Sequence, residues 1–484
     1  MSKPFYLTTT LPYVNADPHI GFALEIVQAD ILVRYRELIG DNVFFTTGTD
    51  EHGQKIYEAS KKVGKTPQEY TDEYAAKFRS LKEKLDLHSN IHFIRTTEEK
   101  HVIAAQEIWR RCLAAGDIEK RTYKGLYCVG DEAFIKETDL VNGRCPNHPN
   151  MDPVELEEEN YFFLLSKYQK PILEYLSREG VVVPEWRRQE AIKFVEQGLE
   201  DFSISRVKEK MPWGIPVPGD DSQVMYVWFD ALTSYISTLG WPDESAGSDF
   251  DTYWKNGDVM QMAGKDQVRF QSIMWQAMLI SAGVKNTDSV LYHGFVTSGG
   301  QKMSKSLGNV ISPITIVEEY GADALRYFLA RHVHPFEDSD VTMERFKEAY
   351  NADLANGLGN LTARIMTLAQ KNLDKPIDRP QPVSFKEFPY PAEYFEAIGR
   401  YDYNAALTSV WGEIQRLDKK IVETEPFKLV KSDPEKGKAL IAELAGELYL
   451  IVRLITPFMP STSEKIKVAI LANKKPENLF PRKD

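Results

Sequence analysis

Cysteine is scarce. Only Cys112, Cys128 and Cys145 occur among 484 residues, too few for a disulfide framework, and this usage points to the cytoplasm. Long apolar runs are missing too. The most apolar late segment, residues 439–459, carries Glu443, Glu447 and Arg453, so it reads as a buried helix and not a membrane span. The opening residues, Met1-Ser2-Lys3-Pro4-Phe5-Tyr6, run into threonines and not into the apolar core of a secretory leader. Positive charge is in deficit: the formal net charge is −12, which argues against a protein that coats nucleic acid nonspecifically. A local basic face would still suffice for RNA. There is no low-complexity tract and no repeat at solenoid periods. What remains is 43% hydrophobic and 27% charged, a globular composition long enough for roughly two to four domains.

Phe5 to Thr10 reads as a first strand, rich in aromatic and β-branched residues. A loop follows over residues 12–16. Asp17-Pro18 then predicts a helix start, an N-cap acceptor followed by proline at the first helical position. Leu24, Val27, Ile31, Tyr35 and Leu38 continue at helical spacing, and residues 43–47 form a second strand. Strand, helix, strand in this order predicts an α/β fold with a Rossmann-type parallel sheet. From residue 116 the texture changes to strand-like pieces with cysteines, an inserted lobe. Residues 224–229 read as a return to the central sheet. From residue 351 the chain is helical: Val410, Ile414, Leu417 and Ile421 form one stripe, and Leu440, Leu444, Leu448, Ile451 and Ile455 another, which predicts a helical bundle.

Two short segments carry phosphate chemistry. Pro18-His19-Ile20-Gly21-Phe22 stands where a strand hands over to a helix, where free N–H groups and the helix dipole favour phosphate. The imidazole of His19 can donate to phosphoryl oxygens, and Gly21 leaves the backbone open. The second is Gly299-Gly300-Gln301-Lys302-Met303-Ser304-Lys305-Ser306-Leu307-Gly308, two lysines around a serine, with glycines on both sides that allow closure. Read alone, His19 is equally an ordinary surface histidine and the lysine segment a solvated turn. The pair, in this order with a nucleotide-type fold between, carries the information.

That pair resembles the His-Ile-Gly-His and Lys-Met-Ser-Lys-Ser signatures of class I aminoacyl-tRNA synthetases, with Phe22 in place of the last histidine. Residues 10–15 (Thr-Leu-Pro-Tyr-Val-Asn), 47–53 (Thr-Gly-Thr-Asp-Glu-His-Gly) and 226–231 (Tyr-Val-Trp-Phe-Asp-Ala) resemble the methionyl-tRNA synthetase family in particular, as do residues 160–163 and 293–295. The resemblance runs from about residue 4 to the C-terminus. It implies ATP with Mg2+, methionine and tRNA(Met) as substrates, with His19, Gly21, Lys302, Ser304 and Lys305 catalytic. ATP contacts are implied at His19, Gly21, Phe22, Asp266, His293, Gly294, Val296 and Lys305. For methionine it implies Asp50 and the backbone of Leu11 at the ammonium, Tyr13, Trp228, Ala231 and Tyr235 around the thioether, and Gln271 where the family usually has histidine. Asp50 follows the second strand, at the carboxyl edge where such sheets bind ligands. Gln267 stands where an aliphatic residue is usual. The lobe is too short for the separate editing domain of the isoleucine, leucine and valine enzymes.

Cys128 and Asp131, then Cys145 and His148, have the paired spacing of a structural zinc knuckle, with Asp131 where the family usually has cysteine. The alternative is a decayed site whose cysteines are core residues. Cys112 reads as ordinary core. Asn360 and Arg364 share a helix face at i, i+4, and the family uses this pattern on the anticodon; Phe427 stands where the family has an aromatic platform. The implied blocks are 1–115 and 224–295 for the two halves of the catalytic domain and 116–223 for the connective insertion. Residues 296–350 would form the lysine-loop and stem-contact region, and 351–484 the anticodon-binding domain. A monomer is expected. Two other readings stay open: a class I synthetase for another amino acid, and a non-catalytic tRNA-binding relative.

Overall fold

Aromatic and β-branched residues around Phe5 build a strand buried on both faces, as a parallel sheet covered by helices requires. In a computed structural model, which describes residues 2–130, 133–135, 137–146, 149–303, 309–378, 385 and 391–484, this strand is β1, Pro4–Thr9. The other strands of its sheet are β2 (Asn42–Thr49), β3 (Ile91–Arg95), β4 (Val182–Val183), β5 (Asp258–Gly264) and β6 (Ser289–His293), in the order β3-β2-β1-β5-β6-β4. The β3–β2, β2–β1, β1–β5 and β6–β4 pairs are parallel, with Leu7 opposite both Phe45 and Met260. The chain leaves β1 toward β2 and β3 on one side and returns to β5 on the other. The order therefore switches between β1 and β5, and the carboxyl ends flanking such a switch form the ligand crevice of doubly wound sheets. This is the expected Rossmann-type architecture.

The chain divides into two units. One comprises Met1–Asp17, Asn42–Ser80 and Asn90–Tyr292; the other comprises Pro18–Asp41, Leu81–Ser89 and His293–Asp484. In the first, the inserted lobe is a four-stranded sheet in which Ile118–Cys128 pairs antiparallel with Val154–Phe163 and with Ala133–Ile135. Residues 224–229 do not return to the parallel sheet. Val224 and Met225 end the strand Asp220–Met225, which pairs antiparallel with Ser205–Val207, and Tyr226 then starts the helix Val227–Leu232. A short apolar run fits a buried strand and a buried helix equally, and burial alone could not separate them. Cys112 is core, fully buried with Trp109.

In the second unit, helix α1 (Ile20–Leu38) starts two residues later than the sequence predicts. Asp17 instead pairs with Lys77 (2.9 Å), and His19 caps the helix through its own side chain. The expected apolar stripe is in fact an unbroken buried run from Ala23 to Val33 that takes in Glu25, Gln28 and Asp30. Helix α2 is Ala322–Arg331, and the C-terminal bundle contains α3 (Asn360–Asn372), α4 (Tyr403–Thr424) and α5 (Pro434–Leu454). Asp402 and Asp433 cap α4 and α5 by accepting the Ala405 and Lys436 N–H groups. Val410, Ile414, Leu417 and Ile421 are buried; in α5 the buried stripe begins at Ile441 rather than Leu440. Among the described residues no helix is long and apolar enough to cross a membrane.

Buried charge organises this unit. Asp30 and Arg326, both fully buried, pair at 2.6 Å. Arg326 also donates through Nε to the Phe458 carbonyl and through Nη2 to the Pro457 carbonyl, both at 2.9 Å. Asp30 accepts in addition from Arg34 Nε (2.7 Å) and the His88 N–H (2.5 Å). Burial by itself would raise the Asp30 carboxyl; the charges of Arg326 and Arg34 and these hydrogen bonds outweigh it and hold it below the usual carboxylate range. A depressed carboxyl contributes stability above its unfolded pKa and loses it as pH falls through the folded value. Arg326→Ala takes from a buried carboxylate the fully buried one of its two cations, so we expect a loss of about 3–5 kcal/mol in denaturant unfolding at neutral pH. An unchanged midpoint would refute the assignment.

Candidate functional site

In the first unit the chain beyond β1 is stitched to the ends of its neighbours. Thr10 N–H donates to the Met262 carbonyl of β5 (3.1 Å), Asp50 N–H to Pro12 (3.0 Å), and Val14 N–H to Asp50 (3.2 Å), so Tyr13 and Asp50 form a parallel bridge. The loop carrying Leu11 and Tyr13 thus lies beside the carboxyl end of β2, with Leu11 and Asp50 both buried. The neighbour of Asp50 is what fixes it. Glu51, fully buried, takes Arg95 through two bonds (2.7 and 2.9 Å) and the Thr49 and Thr97 hydroxyls at 2.6 Å each. Its carbonyl accepts the Trp213 indole N–H (2.6 Å).

Trp228 and Ala231 stand on the helix Val227–Leu232, and Tyr235 on the short helix Ser234–Ser237 after it. Trp228 stacks on Phe270, centroids 3.9 Å apart and planes at 13°. Phe270 opens a π-helical turn, Phe270–Met274, which turns Gln271 inward; the Gln271 amide donates to the Tyr235 hydroxyl (2.6 Å), and the Tyr6 hydroxyl donates to the Tyr235 carbonyl (2.8 Å). Gln271 therefore holds the Tyr235 ring. Asp266, exposed just past β5, accepts from Gln267 (2.8 Å), which accounts for a polar residue at that place.

Sequence reasoning missed the group beneath these aromatics. His52 donates from Nδ1 to Asp230 (3.0 Å), His101 approaches the same carboxylate at 3.5 Å, and the other His101 nitrogen meets Ser237 (3.0 Å). Burial would raise Asp230; the facing His52 and His101 outweigh it and lower its pKa. A signal existed, since His52 and Asp230 belong to residues 47–53 and 226–231, the two segments that carry Asp50 and Trp228.

In the second unit His19 caps α1 with Nδ1, accepting the Gly21 N–H at 3.0 Å. A Cβ on residue 21 would lie 2.9 Å from His19 Cε1 and 3.0 Å from Nδ1, so glycine here makes room for the imidazole. Phe22 follows, half-buried. His293 bridges the Gly294 carbonyl (2.8 Å) and Glu25 of α1 (2.9 Å). Val296 begins the strand Val296–Ser298, which pairs antiparallel with Gln301–Lys302 across Gly299-Gly300. Both glycines have positive φ, 63° and 72°, as a two-residue type I′ hairpin demands. Asp340 moors this turn by accepting from Gly300 N–H (2.7 Å) and the Thr297 hydroxyl (3.0 Å). Lys302 is placed by its backbone; Ser304 and Lys305 lie outside the described residues.

Asn360 is exposed and Arg364 half-buried on α3, where Arg364 forms an ion pair with Asp418 of α4. Phe427 is 45% exposed on the helix Pro426–Ser432, which packs against α3 and begins after Glu425 breaks the chain in the left-handed region, φ 44°. Of the four knuckle residues, Asp131 and His148 lie outside the described residues. Cys128 and Cys145 are buried and in no disulfide. Cys128 ends its strand, and Cys145 follows a tight turn, Val141 bridged to Arg144, with Asn142 and Gly143 at positive φ. Among the described residues no three metal-ligating side chains cluster.

The class I tRNA synthetase model (M) matches residues 5–154 and 149–366. A methionine–tRNA ligase of Fusobacterium nucleatum is 39% identical over 99% of this chain and 76% of its own, and one of Brucella suis is 40% identical over 96% and 91%. The solved Mycobacterium tuberculosis methionyl-tRNA synthetase in complex with methionyl-adenylate superimposes with TM-score 0.88 at 34% identity, over 100% of this chain and 99% of that one.

The cap defines a protonation state. Nδ1 accepts, so the neutral ring carries its proton on Nε2, and desolvation lowers the His19 pKa although part of the ring meets solvent. An NMR titration should find His19 below the ordinary value of about 6.5. In Gly21→Ala the displaced ring should move back toward it. An ordinary titration in the unsubstituted protein would show that the imidazole is not held in the cap.

Proposed function

Because the chain belongs to the methionine–tRNA ligases of class I, we propose that it activates methionine with ATP and passes the methionyl group to tRNA(Met). The observation that carries this reading is the junction of Tyr13 and Asp50 at the carboxyl ends of β1 and β2, beside the sheet's switch point, held in the segments that mark the family. Methionine's carboxylate attacks the α-phosphorus of ATP, taken as its Mg2+ complex, and pyrophosphate leaves. The 3′-terminal adenosine hydroxyl of the tRNA then attacks the methionyl carbonyl, and AMP leaves. No side-chain nucleophile is needed, so positioning and electrostatics supply the rate.

In this reading Asp50 and the Leu11 backbone receive the substrate ammonium, with a carboxylate making the charge-assisted contact. Tyr13, Trp228, Ala231 and Tyr235 surround the thioether, where sulfur is favoured against aromatic edges. Gln271 sets the tilt of Tyr235 and with it the width of that pocket. His19 donates to phosphoryl oxygens from Nε2, and Gly21 keeps the ring in place. Lys302 and Lys305, with Ser304 between them, take the charge of the leaving pyrophosphate, and Phe22, Asp266, His293, Gly294 and Val296 enclose the nucleotide. Residues 351–484 bind the anticodon through Asn360, Arg364 and Phe427. Cys128, Asp131, Cys145 and His148 would hold one structural zinc: two thiolates, a carboxylate and an imidazole are a chemically sufficient donor set, and the tight turn before Cys145 supports it. Metal content of protein purified without chelator tests this, and a value near zero rejects it.

Pyrophosphate exchange tested with each amino acid in turn should proceed with methionine. Exchange only with another amino acid, or none, rejects the reading. Lys305→Ala should slow adenylate formation about 100-fold, the scale of one preorganised transition-state contact. Methionine binding without ATP should stay intact. A near-normal activation rate would remove the lysine loop from the chemistry.

Asp418 neutralises Arg364 in the free chain, so anticodon binding trades one carboxylate for base edges. Asp418→Ala should therefore change charging of a CAU transcript only modestly. Arg364→Ala should erase the preference for CAU over a transcript with an altered first anticodon base. Equal charging of the two transcripts by the unsubstituted protein defeats the anticodon assignment.

A further inference from the structure

A cavity of 690 Å³ in the first unit has no role in the reading above apart from Asp266 at its rim. Its wall includes Trp186, Lys193 and Phe194 from the helix Glu185–Glu196, and Lys265, Asp266 and Arg269 from the turn after β5. Two aromatic faces meet three cations here. Trp186 is 48% exposed, and the Arg269 guanidinium lies 4.3 Å over the Phe194 ring. Glu190 and Asp266 also line the cavity, but Arg187 takes the Glu190 carboxylate at 2.5 Å, which leaves three cations facing one other carboxylate. The volume lies within the range of ligand sites, about 300–1,000 Å³.

Stacking faces beside cations, with side-chain amides between them, are what single-stranded nucleic acid requires: the rings receive bases and the cations receive phosphates. Location adds a second argument. The segment from Lys265 to Met274 serves both the cavity and the aromatic pocket. Lys265, Arg269 and Ile273 face the cavity, while Gln271 faces Tyr235 and Phe270 stacks on Trp228. An occupant of the cavity thus sits across one turn of chain from the proposed methionine pocket.

We propose that this cavity receives the single-stranded 3′ end of the tRNA, with Trp186 stacking a base and Lys193 and Arg269 holding phosphates, so that the terminal adenosine is led to the adenylate. This rests on the tRNA ligase reading and specifies where one part of its substrate binds. Trp186 and Lys193 take no part in activation in that reading, so they should affect only the RNA step.

The test uses the full chain with Trp186→Ala and Lys193→Ala, both at exposed positions. Methionine-dependent pyrophosphate exchange is measured first; its absence in the unsubstituted protein would overturn the ligase reading and this proposal with it, whereas intact exchange with unaltered RNA transfer in the variants would overturn this proposal alone. Transfer from preformed methionyl-adenylate to a tRNA(Met) transcript is then followed in a single turnover. Trp186→Ala should raise the RNA concentration needed for half-maximal transfer about ten-fold, the scale of one lost base stack, with exchange unchanged. As a second readout, the transcript and the same transcript trimmed of its single-stranded 3′ end compete for binding. The intact RNA should bind more tightly to the unsubstituted protein, and Trp186→Ala should remove that difference. Unchanged transfer in both variants, an undiminished difference between the two RNAs, or a Trp186→Ala defect in exchange caused by weakened ATP binding would each overturn the proposal.

Discussion

A guanidinium with no access to water is costly unless each of its donors is answered, and Arg326 is answered throughout. It reaches Asp30 in α1 and the carbonyls of Pro457 and Phe458, and through Asp30 it is linked to the His88 backbone. Segments far apart in the chain are joined at one buried pair. Replacing such a pair with apolar groups of equal volume is often neutral, whereas removing one partner is not. Its contribution here is to fix where α1 lies, and α1 is the helix whose first turn presents His19. The mooring of that first turn is thus more than two helical turns away from it, inside the core.

Much of this was legible beforehand. Strands β1 and β2, the inserted lobe and the helical bundle follow from periodicity and composition. The hairpin at Gly299-Gly300 was visible as a glycine pair but not as a turn type, because only the paired positive φ values distinguish it. Two readings failed where local rules compete. Asp17-Pro18 has the form of a helix start, yet an ion pair to Lys77 and the imidazole of His19 displaced it. Residues 224–229 look like a core strand, yet the run ends in a helix because burial does not reveal the direction of hydrogen bonding. The α1 stripe was drawn too narrowly, since Glu25 and Asp30 appear polar in sequence and are buried only because His293 and Arg326 lie far downstream.

The candidate site shows the same division. Residues lying in recognisable segments, such as Asp50 and Trp228, were singled out. Their supports were not, because support is a relation between segments: Glu51 with Arg95, Asp230 with His52 and His101, Gln271 with Tyr235. Gln271, expected at the methionine, also donates to the Tyr235 hydroxyl, so changing it would act on the angle of that ring as well.

The register of β1 has a consequence for how the protein is made. Its partner on one side, β2, begins at Asn42, but on the other side Phe5 waits for Asp258. A chain emerging from the ribosome at about 5–20 residues per second presents β1 as a bare parallel edge until more than half the sequence has been made. Unpaired edges of this kind recruit other strands. The inserted lobe and the segments that follow it therefore lengthen the exposure of the nascent half-sheet, and β5 acts as the late strand that ends it. Closing so long a loop costs little in final stability, since the entropy grows only with the logarithm of its length, but it places the slow step of assembly at the seam where the ligand crevice forms.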